Sequence, residues 1–360
     1  MTMPRRLGAA LCVAFGLLFV ASRAFATFEI MIPAYFYPAG NPGASDWGAI
    51  ASAASAGYKV TAILNPNSGP GDSQDPNYLS AAYGVRCGVC SEVLGFTFTR
   101  YGERPIDDVK KAIDGYYSFY PVSGIFLDEM VSAYMLDPAN VGKTYTDPMG
   151  ATVTIKSANF YLNYYSELYK YIQGKHADTP FVKPNGTPVA TGTRVVGNVG
   201  INAAEITLTG GSGYGKLADD VIVLEQSYNF LVGNVPAGAD KYAVSDWNLT
   251  NPAYHDDLGY LIHSTSPSQL NNALQTIDHL GGGIAYVTDA PVGPDTFSQL
   301  TPYWNTLLAN CTICPSPIPE PPTTLLVLAL FILGVSRAAP RGVLRSGRTG
   351  STSLSRPVSV

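Results

Sequence analysis

Two stretches of this chain carry an apolar run straight into carboxylic acids: Gly124-Ile-Phe-Leu-Asp128-Glu129 and Val221-Ile-Val-Leu-Glu225. An acid at the end of a buried run must be solvated, paired or used, because an isolated charge in an apolar setting is costly. Two carboxyls gathered in one cleft are the minimal set for cutting a glycosidic bond. One protonates the leaving oxygen, and the other attacks the anomeric carbon or activates water. The 23 tyrosines offer flat faces on which sugar rings can stack. Rival chemistries lack their parts. His176, His255, His263 and His279 show no metal-ligand spacing. There is no G-x-S-x-G elbow for a serine nucleophile and no G-K-[ST] for a phosphate cradle. No metal and no cofactor is therefore expected.

The elements that must position these acids alternate along the chain. Strand candidates are Glu29–Tyr37, Lys59–Asn65, Glu92–Arg100, Gly124–Glu129, Arg194–Asn198, Val221–Glu225, Gly259–His263 and Gly283–Thr288. Helix candidates fall between or after them at Asp46–Ala56, Ile106–Phe119, Asn159–Gln173, Ser266–Leu280 and Phe297–Leu308. Eight strands alternating with helices predict an α/β fold, a single (β/α)8 TIM-type barrel with insertions. A doubly wound sheet is the rival, weakened by the lack of G-x-G-x-x-G after the first strand. Barrel sites sit where strands end. The strand-end groups Tyr35, Tyr37, Asn65, Arg100, Tyr101, Asn198, His263 and Asp289 are thus the candidate substrate-binding residues. The Asn65–Asp75 loop reads as a wall of the cleft, and the Tyr161, Tyr164, Tyr165, Tyr169, Tyr171 group as helix packing. Two bland readings compete: Asp128 capping a turn, and Glu225 paired with an arginine such as Arg100.

Charge is unevenly spread over the 360 residues. All 27 acids lie between Thr27 and Glu320 with only 14 of the 22 basic residues, a local net of −13. That sign disfavours nucleic acid and anionic lipid as partners and favours a cationic substrate. The ends read as processing segments. Arg5-Arg6, the apolar run Leu7–Val20 and Ala24-Phe-Ala26 make a secretory signal peptide over residues 1–26, with the barrel domain over 27–314. Residues 315–341 combine a proline-rich linker with a segment that resembles a PEP-CTERM sorting signal: Pro319-Glu320-Pro321, a short apolar run, then arginines. The resemblance implies an exosortase-type partner and a bacterial cell-surface or extracellular location, with membrane contact only through this segment. A polar tail, 342–360, follows. Cys87-x-x-Cys90 and Cys311-x-x-Cys314 remain after the leader is removed, and an exported compartment favours disulfides over a zinc site.

Asn65-Pro-Asn-Ser-Gly69-Pro70-Gly71, Leu94-Gly-Phe-Thr-Phe-Thr-Arg100-Tyr101-Gly102, Gly124-Ile-Phe-Leu-Asp128-Glu129 and Ala285-Tyr-Val-Thr288-Asp289 together resemble the spherulin-4-like cell-surface family. The resemblance spans about Ile32 to Trp304. It implies a (β/α)8 glycoside hydrolase that cuts galactosamine-containing polysaccharide in the endo mode, with the acidic cluster on Asp128, Glu129 and Glu225. In the expected division of labour Asp128 is nucleophile or base, Glu225 is the general acid, and Glu129 positions an amino group or hydroxyl. Exchange of Asp128 and Glu129 is open, because neighbours on a strand point to opposite faces unless the strand ends between them. Tyr134–Ala158 and the glycine-rich Thr207–Lys216 read as insertions that reshape the cleft rim. A non-catalytic polysaccharide-binding matrix protein on the same barrel is the functional alternative.

Overall fold

A computed structural model describes residues 27–147, 150, 152–176, 180–182, 186, 188–233 and 250–314. The signal-peptide, linker, sorting and tail segments of the sequence reading lie outside the described residues. Eight parallel strands close into a barrel: β1 (Glu29–Ala34), β2 (Val60–Leu64), β3 (Glu92–Phe98), β4 (Gly124–Asp128), β5 (Arg194–Asn198), β6 (Asp220–Ser227), β7 (Leu258–His263) and β8 (Ile284–Val287). Each pairs with its neighbours in chain order, and β8 returns to β1 through Glu29↔Ile284 and Ile30↔Ala285. The fold is a (β/α)8 barrel. Its strands are buried on both faces, which is why they read as near-continuous apolar runs rather than alternating ones. All six residues of β1 and all five of β2 are buried.

The helices cover the outside. In α1 (Gly43–Ser55) Trp47, Ile50 and Ala54 turn inward at helical spacing. α2 (Pro76–Arg86) starts at Asp75, whose side chain accepts from the N–H groups of Asn77 and Tyr78, with Pro76 in the first turn. α3 (Ile106–Phe119) buries Val109, Ala112, Ile113, Tyr116 and Tyr117, and Asp107 and Asp108 meet the positive end of its dipole. Gly95 on β3 lets it dock: a Cβ there would run into the Tyr116 ring. α4 (Ala158–His176) buries Tyr161, Leu162, Tyr164, Tyr165, Leu168 and Ile172, so the tyrosine stripe is packing. The six-residue α5 (Ala204–Thr209) follows β5, α6 (Leu270–His279) follows β7, and α7 (Trp304–Ala309) closes the ring. Among the described residues no helix is long and apolar enough to cross a membrane.

α2 was not among the expected helices. α7 begins at Trp304 rather than Phe297, because Phe297 is packed edge-on against Tyr35 and Tyr286 and cannot sit on an outer helix. One disulfide joins Cys90 to Cys314, while Cys87 is an exposed thiol and Cys311 a buried one. The Cys311 backbone pairs with Phe28 just ahead of β1, and its thiol donates to the Lys59 carbonyl.

The N-terminal end of the barrel is closed by charge. Arg194 bonds Glu29 at 2.7 Å, Glu92 at 2.5 Å and Asp220 at 2.7 Å, and Lys59 reaches Glu29 at 2.9 Å. Burial by itself would push the Glu29 carboxyl up, but Arg194 and Lys59 hold it at about 2. This plug leaves the opposite end to carry the chemistry.

Candidate active site

Asp128, Asn198 and Glu225 stand at the C-terminal ends of β4, β5 and β6, three neighbouring strands. The Nδ2 of Asn198 donates to Asp128 Oδ1 at 2.8 Å and to Glu225 Oε2 at 2.5 Å. The Oδ1 of Asn198 accepts from the Gly200 N–H at 3.0 Å, which fixes the amide with its donors toward the acids. The two bonded carboxylate oxygens are thus no more than about 5.3 Å apart, the sum of the two bonds. A register shift in the β6–β7 pairing between Ile222 and Leu224 lies just before Glu225, the kind of irregularity that re-aims a side chain beside a site.

β4 ends at Asp128, and Glu129 then enters the left-handed region with φ 53°. That turn lets consecutive acids face one cavity. Its cost for a non-glycine residue is offset by the packing around it. The Glu129 carbonyl accepts from the Tyr101 N–H at 2.8 Å and from the Thr99 hydroxyl at 2.7 Å. Tyr101 is itself left-handed, at φ 53°.

The cavity between these strand ends measures about 850 Å³. Asp128, Glu129, Glu225, Tyr35, Tyr101, Asn198 and His263 all line it. Burial, the Asp128 charge and the Asp147 charge push Glu129 up to about 7. Burial and the Asp128 charge push Glu225 up to about 7 as well. Asp128 is raised by burial, with hydrogen bonds from the Glu129 N–H and Asn198 opposing that rise by favouring its ionised form. Burial thus raises both acids of the pair, and the hydrogen bonds that Asp128 accepts oppose its rise. Burial also raises the Tyr35 phenol, and the charges of Asp128 and Glu225 add to it. His263 is buried, its Nδ1 is 2.9 Å from the Ser264 hydroxyl, and burial lowers its pKa.

Four strand-end groups fall elsewhere. Tyr37 is exposed, and its hydroxyl meets Asp75 and Asn77 at the start of α2. Asn65 accepts from the Gly69 N–H within its own loop, which does not line the cavity. Arg100, at φ 51°, is exposed beyond β3, and Asp289 is exposed beyond β8. Glu225 bonds Asn198 rather than Arg100. The Thr207–Lys216 stretch stays away from the cavity, and its Tyr214 carbonyl accepts from Ser166 on α4. Tyr134–Ala158 does form the rim: Tyr134, Thr144, Tyr145, Thr146 and Asp147 line the cavity. Asp147, Met130 and Phe297 are lining residues the sequence reading passed over. Asp147 carried no motif, and only its place in a polar insertion after β4 marked it. Among the described residues no group of three histidine, cysteine or acidic side chains is placed to hold a metal ion.

Residues 29–311 match the spherulation-specific family 4. Spherulin-4 of Physarum polycephalum is 26% identical over 283 residues, covering 76% of this chain and 67% of that protein. Among solved structures, Aspergillus clavatus Sph3, determined in complex with GalNAc, aligns with a TM-score of 0.56 at 19% identity, over 79% of this chain and 97% of its own. The PgaB (BpsB) glycoside hydrolase domain of Bordetella bronchiseptica aligns at 0.44 and 10% identity, over 81% of this chain and 100% of its own. With the match running from the first barrel strand to the buried Cys311, the chain belongs to the spherulation-specific family 4.

Proposed function

We propose that this protein is an exported glycoside hydrolase that cuts an exopolysaccharide containing galactosamine or N-acetylgalactosamine, in the endo mode. The observation that carries the reading is the pair of carboxyls held on one amide, Asp128 and Glu225, inside a tyrosine-lined cavity. Sph3, a protein of the same fold, was solved with GalNAc bound, which supports the sugar class. Retaining glycosidases hold their carboxyls about 5–5.5 Å apart and inverting ones about 6.5–9.5 Å. The shared Asn198 amide brings one oxygen of each carboxyl within about 5.3 Å, and the mechanism is written for the retaining case.

In that mechanism the ionised Asp128 attacks the anomeric carbon while Glu225 gives its proton to the departing glycosidic oxygen. The sugar is left bonded to Asp128. Glu225, now ionised, takes a proton from the water that displaces it, and both acids return to their starting states. Asn198 keeps the two carboxyls aligned, and burial together with the charge of Asp128 favours the proton on Glu225. Tyr35 and Tyr101 supply faces for the ring. Export follows from the leader ending at Ala26, and surface sorting through an exosortase-type system from the 315–341 segment.

The test is appearance of new reducing ends from galactosamine-rich polysaccharide, with Asp128→Asn and Glu225→Gln alongside. Release by the parent and none by either variant supports the reading. Binding of the polymer without release by the parent would instead establish the matrix-binding alternative. Edman sequencing of protein recovered from the cell exterior should begin at Thr27.

A further inference from the structure

The turn that follows α1 is where the two Cys-x-x-Cys segments meet. Gly88, between Cys87 and Cys90, lies so close to it that a Cβ would strike the Ala54 carbonyl. The Ser91 hydroxyl donates to the Tyr58 carbonyl at 3.1 Å. From the far end of the domain, the Cys314 N–H donates to the Gly57 carbonyl at 2.9 Å and the Lys59 N–H to the Thr312 carbonyl at 2.8 Å. Residues 87–91 and 311–314 are thus held against the same stretch, 54–59, and the Cys90–Cys314 bridge joins them.

Each segment gives one sulfur to that bridge and keeps one thiol, and the two thiols differ. Cys311 is 4% exposed, its Sγ donates to the Lys59 carbonyl, and burial pushes it up to about 11. A buried thiol that resists ionisation is inert, because the thiolate is the nucleophile. Cys87 is exposed at the end of α2, its N–H bonded to the Tyr83 and Val85 carbonyls. Val89 and Ile313, the residues just before the two bridged sulfurs, are each 64% exposed, and Cys90 and Cys314 are half-buried, so solvent reaches the bridge.

We infer that Cys87 is an internal thiol that opens this bridge by exchange. Its thiolate attacks the Cys90 sulfur, the Cys87–Cys90 bond forms, the Cys90–Cys314 bond breaks, and Cys314 leaves as a thiolate. Cys87 gives one proton to water and Cys314 takes one back, so no oxidant or reductant is consumed. The seating of residues 311–314 sets the direction. While their bonds to Gly57, Lys59 and Phe28 hold, Cys314 stays at high effective concentration beside Cys90 and the long-range bridge persists. Once that segment lifts, Cys87 remains in place, and the shorter loop costs less entropy to close. The bridge spans 224 residues and ties the end of the domain to the start, whereas a Cys87–Cys90 bond ties only one turn. The result is a redox-neutral latch on the last residues of the domain, independent of what the cavity binds.

The test holds the full chain at about pH 8.5, where thiols ionise, without added thiol and in urea below the global transition followed by tryptophan fluorescence. Samples are trapped with N-ethylmaleimide at acid pH and mapped by mass spectrometry without reduction. The parent should accumulate the Cys87–Cys90 peptide with Cys314 alkylated, at a rate independent of protein concentration. Release of Cys314 should be slower by about tenfold or more in Cys87→Ser, and equally slow in parent protein alkylated at Cys87 beforehand. A bridge that survives until the barrel unfolds, equal release of Cys314 in Cys87→Ser, a Cys87–Cys314 product, or a rate that rises with protein concentration would each overturn the assignment.

Discussion

Arg194 on β5 and Glu29 on β1 stand on opposite sides of the barrel, yet their side chains meet at 2.7 Å across its floor. Glu92 and Asp220 share the same guanidinium. Replacing one partner of a buried network strands the others. Arg194→Met should cost about 3–5 kcal/mol of unfolding free energy, read from urea titration. A loss below about 1 kcal/mol would mean that water replaces the guanidinium and that the floor is not a sealed plug.

Activity should fall as pH rises through about 7, since Glu225 must carry a proton to serve as the acid and is held at about 7. The alkaline limb of kcat should be absent from what activity survives in Glu225→Gln. A substrate with a good leaving group such as dinitrophenolate, which needs no proton, should lose its dependence on Glu225 in the first step.

Stability should follow an unusual course. Ordinary paired acids are held low, and their contribution disappears as pH falls through the folded value, as for Glu29 below about 4. Glu225 and Glu129 run the other way. Both titrate at about 7 when folded and near 4.3 in the open chain, so the folded state holds protons that the unfolded state releases. Stability is therefore lost as pH rises from about 4.5 to 7. Glu225→Gln, which never needs to ionise, should be about 2 kcal/mol more stable than the parent at pH 8, and equal melting curves at pH 8 would contradict this.

Asn198→Ala should leave a folded protein with a poorly aligned acid pair. Both carboxylates lose a hydrogen bond that favours their charged forms. The alkaline limb should move to higher pH and kcat should drop by about 10²-fold. An unchanged limb would show that the amide orients nothing.

The barrel was legible because its parallel strands are wetted on neither face. Runs such as Val221-Ile-Val-Leu have no polar alternation to obscure them, and an acid after such a run stands out. The same rule overreached at Tyr37, Asn65, Arg100 and Asp289. These four lie one to three residues past the strand ends, and Arg100, in a turn at φ 51°, is carried outward by a conformation no residue pattern announces. α2 was hidden by the glycine- and proline-rich loop before it, although Asp75-Pro76 is a sound helix start. Asn198 was read as a sugar ligand, and the structure adds its hydrogen bonds to Asp128 and Glu225, since the partner a strand-end amide takes is not written in the sequence. Its position between β4 and β6 makes it the bridge between two acids.

The folded domain ends at a covalent knot. Residues 311–314 lie against Phe28 and Tyr58 through isolated pairings, and Cys314 is bonded to Cys90, two residues before β3. Tension drawn along the chain from Pro315 onward would peel those pairings apart one at a time if they alone carried it. The sulfur bridge diverts the load to the root of β3, a strand hydrogen-bonded along both edges by β2 and β4, where many bonds share it. A pull applied beyond Cys314 would thus meet a sheet loaded in shear across several bonds rather than pairings that open singly.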